Sequence, residues 1–425
     1  MQKKKSNPIT RRPISKKKKS TSISKKNIPS KKNESIQNKP LINEKILIVC
    51  GEPSGDLLGS NLIEEFNKTK GKFSFFGIGG SEMVKTGFTS LHDIESLSVI
   101  GFTGILTKYF PLKKIAKNLV EKAVENNVRY AILIDYPGFN LHLAEKLREK
   151  GIKIIFYVSP QIWAWRFKRI FRIRDCVDLM LVLFPFEKKI YDEYNVRCEF
   201  VGHPLCSRME EKIKTEKPIQ IDKKITTICL MPGSRSGEIT RLVDPLLKSA
   251  ALIQKEMDSK NQKVQFILPN INQKQESFIL EKIKQLKELT NIKIEYFFDN
   301  SAKCLEASDL VILSSGTATL EVAYFEKPMV IIYKMSYISF QIGLRLVTTK
   351  HVGLVNILAG EGICKEFLQN DANAENIFTE SMNILNDHQY RQTIISRIKE
   401  VKASLGDGNA GKKATEAILK LIQEP

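Results

Sequence analysis

The sequence predicts an α/β protein of two doubly wound halves facing a central cleft, preceded by a basic tail. Three observations carry that expectation. Short apolar, β-branched runs recur from residue 44 to residue 333, most of them followed by amphipathic stretches, as in parallel strands buried on both faces and joined by helices. The alternation restarts after a polar, lysine-rich interval at 207–224. Each half also opens with a strand that feeds a turn of small residues and then a helix. The expected division is a tail at 1–42, a first half at 43–206, a linker at 207–224, a second half at 225–370, and C-terminal helices at 371–425 that clamp the halves together. At 425 residues, two domains are the default in any case.

Charge is uneven along the chain. Residues 1–40 hold fourteen Lys/Arg and one acid, Glu34, which is about +13 of the formal +20 and leaves a mildly basic body of about +7. A Lys-, Ser-, Asn- and Pro-rich head of this kind is expected to be disordered. It carries no apolar run after its charges, so it does not read as a secretory signal, and no segment is long and apolar enough to span a bilayer. The seven cysteines (50, 176, 198, 206, 229, 304 and 364) form no C-x-x-C pair, and the five histidines show no metal-type spacing. Buried free thiols in a reducing compartment, with no metal and no cofactor, are the expectation. No Asp-x-Asp occurs to hold a metal against a diphosphate.

The first strand, Glu44 to Cys50, runs into Gly51-Glu-Pro-Ser-Gly-Asp-Leu-Leu-Gly59, whose small residues would let a ligand approach the backbone. Phe73 to Gly80 supplies a second strand and glycine turn, but neither turn is the G-x-G-x-x-G dinucleotide fingerprint. Residues 98–115 cluster Ile100, Phe102, Ile105, Leu106, Tyr109, Phe110 and Leu112 with glycines and lysines. They read either as a core helix with its loop or as an apolar flap meeting a membrane surface or an acyl chain. Tyr130 to Ile134 is a buried strand ending at Asp135-Tyr-Pro-Gly-Phe-Asn140. An acid there sits where open α/β sheets bind ligands, unless it merely caps the next helix. Both tryptophans, Trp163 and Trp165, follow the strand at 153–158, beside Arg166, Lys168, Arg169 and Arg172. They read as walls of a sugar or acyl cleft, as stacking surfaces for bases, or as a packing pair.

The second half opens with Thr226 to Met231 and the turn Pro232-Gly-Ser-Arg-Ser-Gly-Glu-Ile239. There Gly233 and Ser234 offer backbone N–H groups, and Arg235 offers a fork that matches a diphosphate. Leu310 to Leu313 then leads through Ser314, Ser315 and Gly316 into a helix that Thr317 is placed to cap, with Ala318 its first residue. This junction aims N–H groups and a helix dipole at one point, which suits a phosphate, and Glu321 is placed to accept from sugar hydroxyls. Two Rossmann-like halves, a glycine turn in each, and neither a dinucleotide fingerprint nor a metal motif favour a GT-B glycosyltransferase.

Together the segments GEPSGDLLG (51–59), GIGG (77–80), SVIGFTGIL (98–106), IDYPGFN (134–140), YVSPQIWAWR (157–166), PFEKKIYDEYNV (185–196), VGHPL (201–205), LMPGSRSGEI (230–239) and SSGTATLEVA (314–323) resemble the lipid-A-disaccharide synthase family. The tail lies outside the resemblance. What the resemblance implies is a metal-free enzyme, peripheral on the cytoplasmic face of the inner membrane. It would join UDP-2,3-diacylglucosamine to 2,3-diacylglucosamine 1-phosphate (lipid X), giving the β-1,6-linked disaccharide 1-phosphate and UDP. An α-linked donor giving a β product means inversion, for which one general base suffices.

Asp135 is the expected base, with Glu52 or Asp56 as the fallback and Ser54 and Gly55 shaping their loop. Arg235 and the N–H groups around Gly316–Ala318 would hold the diphosphate, and Glu321 the ribose. Asn356 matches a family Asn near the donor site. Acyl substrates favour the membrane reading of the 98–115 flap, and the tail can add about 1 kcal/mol per Lys/Arg held near an anionic leaflet. A homodimer stays open. The rival expectations are another UDP-sugar GT-B enzyme, transferase or epimerase, and more remotely a nucleic-acid-binding protein. The modest charge of the body speaks against the last.

Overall fold

The computed structural model describes residues 43–94, 97, 105–290, 292–336, 340 and 349–424, the side chains of 105–110 excepted. In the first half, β1 (Asn43–Cys50), α1 (Pro53–Asn67), β2 (Lys72–Gly79), α2 (Ser81–Lys85) and β3 (Thr89–Asp93) precede α3 (Ile105–Glu125). They are followed by β4 (Tyr130–Ile134), α4 (Pro137–Arg148), β5 (Lys153–Tyr157), α5 (Arg169–Cys176), β6 (Leu179–Val182), α6 (Pro185–Glu193) and β7 (Cys198–Phe200). These strands form one all-parallel sheet in the order β3-β2-β1-β4-β5-β6-β7. Successive residues of β1 go to opposite faces. Ile46 and Ile48 join one apolar cluster with Leu62 and Phe66 of α1, while Leu47 and Val49 join another with Leu119 of α3 and Leu143 of α4. Each such fully buried side chain contributes about 1.5–3 kcal/mol.

Helix α7 (Leu205–Thr215) then leads to β8 (Thr226–Met231), α8 (Ser236–Ser259), β9 (Val264–Asn270), α9 (Glu276–Thr290), β10 (Ile294–Phe298) and α10 (Ser301–Ala307). The second half continues with β11 (Leu310–Ser314), α11 (Ala318–Tyr324), β12 (Met329–Tyr333), α12 (Leu354–Ala359) and β13 (Glu366–Leu368). Its sheet is also parallel, in the order β10-β9-β8-β11-β12-β13. In both sheets the order reverses beside the first strand, between β1 and β4 and between β8 and β11. Those two switch points are where a crevice opens at the strand ends.

The chain closes with α13 (Ala374–Asn386), α14 (His388–Ser404) and α15 (Ala410–Gln423). Helix α13 packs along α8, α14 against α11 and α12, and α15 returns to α1 and β6 of the first half. Near its end the Tyr130 hydroxyl reaches Ile422 O at 3.5 Å, and Arg197 pairs with Glu424 at 2.6 Å.

The structure adds to the sequence expectation in three places. The first part of the interval expected as a linker is helical, because Leu205 and Met209, one turn apart, supply a narrow apolar stripe on α7. Strand β3, Thr-Ser-Leu-His-Asp, is a half-exposed sheet edge with no apolar run to betray it. Strand β13 is likewise short and only partly buried.

Candidate active site

The two switch points meet two adjoining cavities. The larger, about 970 Å³, is bounded by the β8 turn, the β11 turn, residues 349–352 and, from the first half, Gln161 to Trp165. Gly233 stands at φ 112°, and a Cβ there would lie 2.6 Å from the Glu238 carboxylate that caps α8. The turn is fixed from beside it, since Asn272 Nδ2 donates to Ser234 O at 2.8 Å. The Arg235 side chain is 83% exposed and makes a long 3.5 Å contact to Glu238.

On the facing turn, Ser315 N–H makes the last ladder bond, to Ile332 O at 3.0 Å, and its hydroxyl donates to Val352 O at 2.8 Å. Gly316 follows at φ 145°, a glycine-only conformation, with open space where a Cβ would be. Past it, Thr319 N–H bonds Gly316 O at 3.2 Å and Leu320 N–H bonds Thr317 O at 2.9 Å, which leaves the amides of Gly316, Thr317 and Ala318 without a backbone acceptor among the described residues. Ser314 Oγ, buried in the cavity wall, has no hydrogen-bond partner among the described residues. Glu321 is nearly buried and paired with Arg208 of α7.

The second cavity, about 630 Å³, opens at the β4 end of the first sheet and shares Gln161, Arg208, Thr317 and Leu354 with the first. Asp135 lines it. Asp135 and Tyr136 hold consecutive left-handed conformations, φ 49° and 46°. Asn140 locks that turn, its amide donating to Asp135 O at 2.7 Å and Ile134 O at 3.2 Å. Burial, and then the negative Glu52 beside it, push the Asp135 carboxyl above the usual range, against a backbone N–H bond from Tyr136.

Also lining this cavity, Glu187 is buried and accepts from the Trp163 indole at 3.1 Å and from Phe184 N–H at 3.2 Å. Burial pushes its carboxyl up to about 7 despite those bonds. His203, stacked on Phe184, accepts from Leu205 N–H at 3.1 Å and is pushed down to about 4 by burial. An acid kept basic at a strand end, beside a cavity that offers backbone N–H groups and the exposed Arg235 guanidinium, suits transfer of a group away from a diphosphate.

The chain matches the lipid-A-disaccharide synthetase family over residues 46–420. It is 35% identical to the lipid-A-disaccharide synthase of Coxiella burnetii (strain CbuG_Q212) over 383 residues, 89% of this chain and 99% of that protein. The enzyme of the same name from Geobacter sulfurreducens is also 35% identical, over 89% of this chain and 98% of its own length. This chain belongs to the lipid-A-disaccharide synthase family. It is a hexosyltransferase of lipid A disaccharide synthesis. Solved structures of two other enzymes share the fold. The UDP-GlcNAc 2-epimerase of Neisseria meningitidis, bound to UDP-GlcNAc, superposes with TM-score 0.57 at 12% identity, over 88% of this chain and 100% of that one. MurG of Acinetobacter baumannii superposes with TM-score 0.54 at 14% identity, over 89% and 99%. The GT-B architecture expected from the two half-patterns is the one found.

Several residues expected in the synthase site sit elsewhere or act indirectly. Asp56 is corrected from a fallback base to a helix cap. Its buried carboxylate accepts from Gly80 N–H at 2.8 Å, Glu82 N–H at 3.0 Å and Met83 N–H at 3.1 Å, the first turn of α2. Gly55 serves packing, since a Cβ there would fall 2.9 Å from the Cys50 side chain. Asn356 is also spent internally, bonded to Cys364 through both amide atoms and to Glu366 at 2.7 Å. Glu366 in turn accepts from Val352 and Gly353 N–H, so this pair shapes the cavity wall from behind. Thr317 makes no cap bond; its neighbour Thr319 bonds Gly316 O instead, and Thr317 faces both cavities.

Ser54 lines the second cavity, and Glu52 is exposed at the α1 start. Ile100 and Phe102 lie outside the described residues, as do the side chains of Ile105, Leu106, Tyr109 and Phe110. Sequence reasoning missed Glu187, His203 and Arg208. The first two lay in plain view inside PFEKKIYDEYNV and VGHPL, but only the fold brings them to Asp135.

Proposed function

We infer that the chain condenses UDP-2,3-diacylglucosamine with 2,3-diacylglucosamine 1-phosphate by a single inverting displacement, without a metal. The observation that carries this reading is the placement of Asp135 in a cavity that adjoins, and shares a wall with, the cavity of the two phosphate-type turns. The acceptor occupies the Asp135 cavity, and its 6-hydroxyl gives its proton to that carboxylate as it attacks the donor's anomeric carbon. The bond from that carbon to the diphosphate breaks on the opposite side. The charge arriving on the diphosphate is met by Arg235 and the amides of Gly316, Thr317 and Ala318, each charge-assisted contact supplying about 1.5–3 kcal/mol.

Glu321 binds the ribose hydroxyls, which requires Arg208 to release it. Arg208 then has the diphosphate within its own cavity as a new partner. Gly233 and Ser234 support the same group through their backbone, with Ser315 bracing the opposite turn. Asn356 acts by holding Glu366 and the 352–353 amides in place. The first half is the acceptor side, peripheral on the cytoplasmic face of the inner membrane, and the second half binds the UDP-sugar.

UDP release measured with both lipid substrates in detergent and EDTA tests the reading, with the product's anomeric linkage assigned by NMR. A β-linked disaccharide formed in EDTA is expected. An α-linked product would exclude the single displacement, and turnover only with added divalent cation would exclude the metal-free route.

A further inference from the structure

His203 is a titratable group of the second cavity that the proposed chemistry leaves without a task. The loop between α14 and α15 anchors it. Its N–H donates to Leu405 O at 2.8 Å, and Gly202 before it, at φ 88°, lies against the same carbonyl. The ring stacks on Phe184, with centroids 5.4 Å apart, and Nδ1 is turned back to accept from Leu205 N–H at 3.1 Å. Burial, and then the charge of Arg208, keep the ring neutral. A neutral imidazole whose Nδ1 accepts carries its proton on Nε2. That N–H has no partner among the described residues, and His203 lines the cavity that Asp135 lines.

The same wall continues into the start of α15. Asn409, Ala410, Gly411 and Lys412 line the cavity with His203. A Cβ on Gly408 would fall 3.3 Å from Ser207 N, so the turn into α15 rests on the residues that follow His203. The first bond of the helix is Lys413 N–H to Asn409 O, at 3.0 Å. The amides of Ala410, Gly411 and Lys412 are left without a backbone acceptor among the described residues. Lys412 is exposed and makes no ion pair among them, Asp407 being taken by Lys413 at 2.9 Å. In the wall of the same cavity the Tyr157 hydroxyl is fully buried, and it too has no partner among the described residues.

We propose that His203 and the first turn of α15 bind a sugar phosphate monoester, the 1-phosphate of the acceptor. The proposal rests on the acceptor chemistry inferred above. With its 6-hydroxyl at Asp135, the acceptor carries its 1-phosphate across the sugar ring, away from the negative charges of Asp135 and Glu52. Donors that lack acceptors on the same cavity wall are what such a group requires. The helix start and Lys412 supply positive charge, Arg208 adds another cation, and the imidazole supplies a directed N–H. Glu64, Glu65 and Glu211 also line the cavity. Glu65 is paired with Lys68 at 2.6 Å, and the other two are exposed, where water and salt screen them.

The full chain would be assayed in detergent with 2,3-diacylglucosamine 1-phosphate and with the same sugar lacking its phosphate. The readout is the ratio of the two kcat/KM values. The wild type is expected to prefer the phosphorylated acceptor, and that ratio should fall by about tenfold in Lys412→Ala and in His203→Leu. His203→Gln, which keeps an N–H donor, should retain most of the preference. A wild type without preference, or variants that keep the wild-type ratio, would overturn the proposal. Lys412→Ala, at an exposed position, still judges it where His203→Leu does not fold. Turnover of neither acceptor by the wild type would instead sink the proposed reaction. The site is then judged by calorimetry with glucosamine 1-phosphate in excess UDP. Binding that weakens by about tenfold in Lys412→Ala supports it, and absent or equal binding overturns it.

Discussion

At the scale of single residues, the proposed reaction turns on how Asp135 is kept basic. Its turn is strained, with two consecutive non-glycine residues at positive φ, and Asn140 fixes it in that form. Burial and Glu52 both raise its pKa, so with Asp135 as the proposed base the acid limb of the rate profile is expected to report the loss of its proton. Replacing Glu52 by Gln removes a negative neighbour and lowers that pKa. The acid limb of kcat/KM is therefore expected to move to lower pH, and a limb that stays in place would remove Glu52 from the electrostatics of the base.

Glu187 makes a second prediction, this time about stability. Its pKa is raised from 4.5 to about 7 on folding, so its contribution is fully present below about 4.5 and is lost as pH rises through about 7. The loss is on the order of 3 kcal/mol at most. Glu187→Gln keeps the acceptor for the Trp163 indole but cannot ionise. Denaturation curves between pH 4.5 and 8 are expected to fall less steeply for the variant than for the wild type; parallel curves would refute the shifted carboxyl.

Which residues were legible follows from the range of their partners. Asp135, Arg235 and the 314–318 turn are local features at strand ends, visible as sequence patterns. The bonds that Asp56 and Asn356 make were not legible, because their partners lie 24 to 27 and 8 to 10 positions away, where no pattern announces them.

At the scale of elements, turns and caps decide what the strands present. Asp56 ties α2 to α1 through three backbone N–H groups, so Asp56→Ala should destabilise the first half by about 1–3 kcal/mol in chemical denaturation. Activity per folded molecule should persist, and its disappearance in folded protein would restore Asp56 to the chemistry. Gly316 is the complementary case. Alanine meets no neighbour there but cannot relax at φ 145°, so Gly316→Ala should cost about 1–3 kcal/mol as strain or as lost UDP affinity, measured by calorimetry. Unchanged UDP binding and stability would show that the turn needs no glycine. Buried strands were readable as apolar runs because both faces are covered. Strands β3 and β13, half-exposed edges, give no such signal, and α7 hides its narrow stripe among lysines.

At the scale of the molecule, the two switch points are useful only because the halves hold them face to face. That arrangement depends on α7, whose Arg208 bridges to Glu321, and on α15, which leaves the second half and packs on α1. The two-half plan was legible from the restart of the strand–helix alternation. The meeting of Asp135, Glu187 and Arg208 was not, since it is set by tertiary packing over more than 70 residues of chain. The central claim is that Asp135 is the general base of the transfer and not a binding residue. Its most direct test is Asp135→Asn, with UDP binding measured by calorimetry beside UDP release from the two lipid substrates. Loss of kcat by about 100-fold or more with UDP affinity unchanged is the expected result. Turnover near the wild-type rate would contradict it and leave Glu52 as the base.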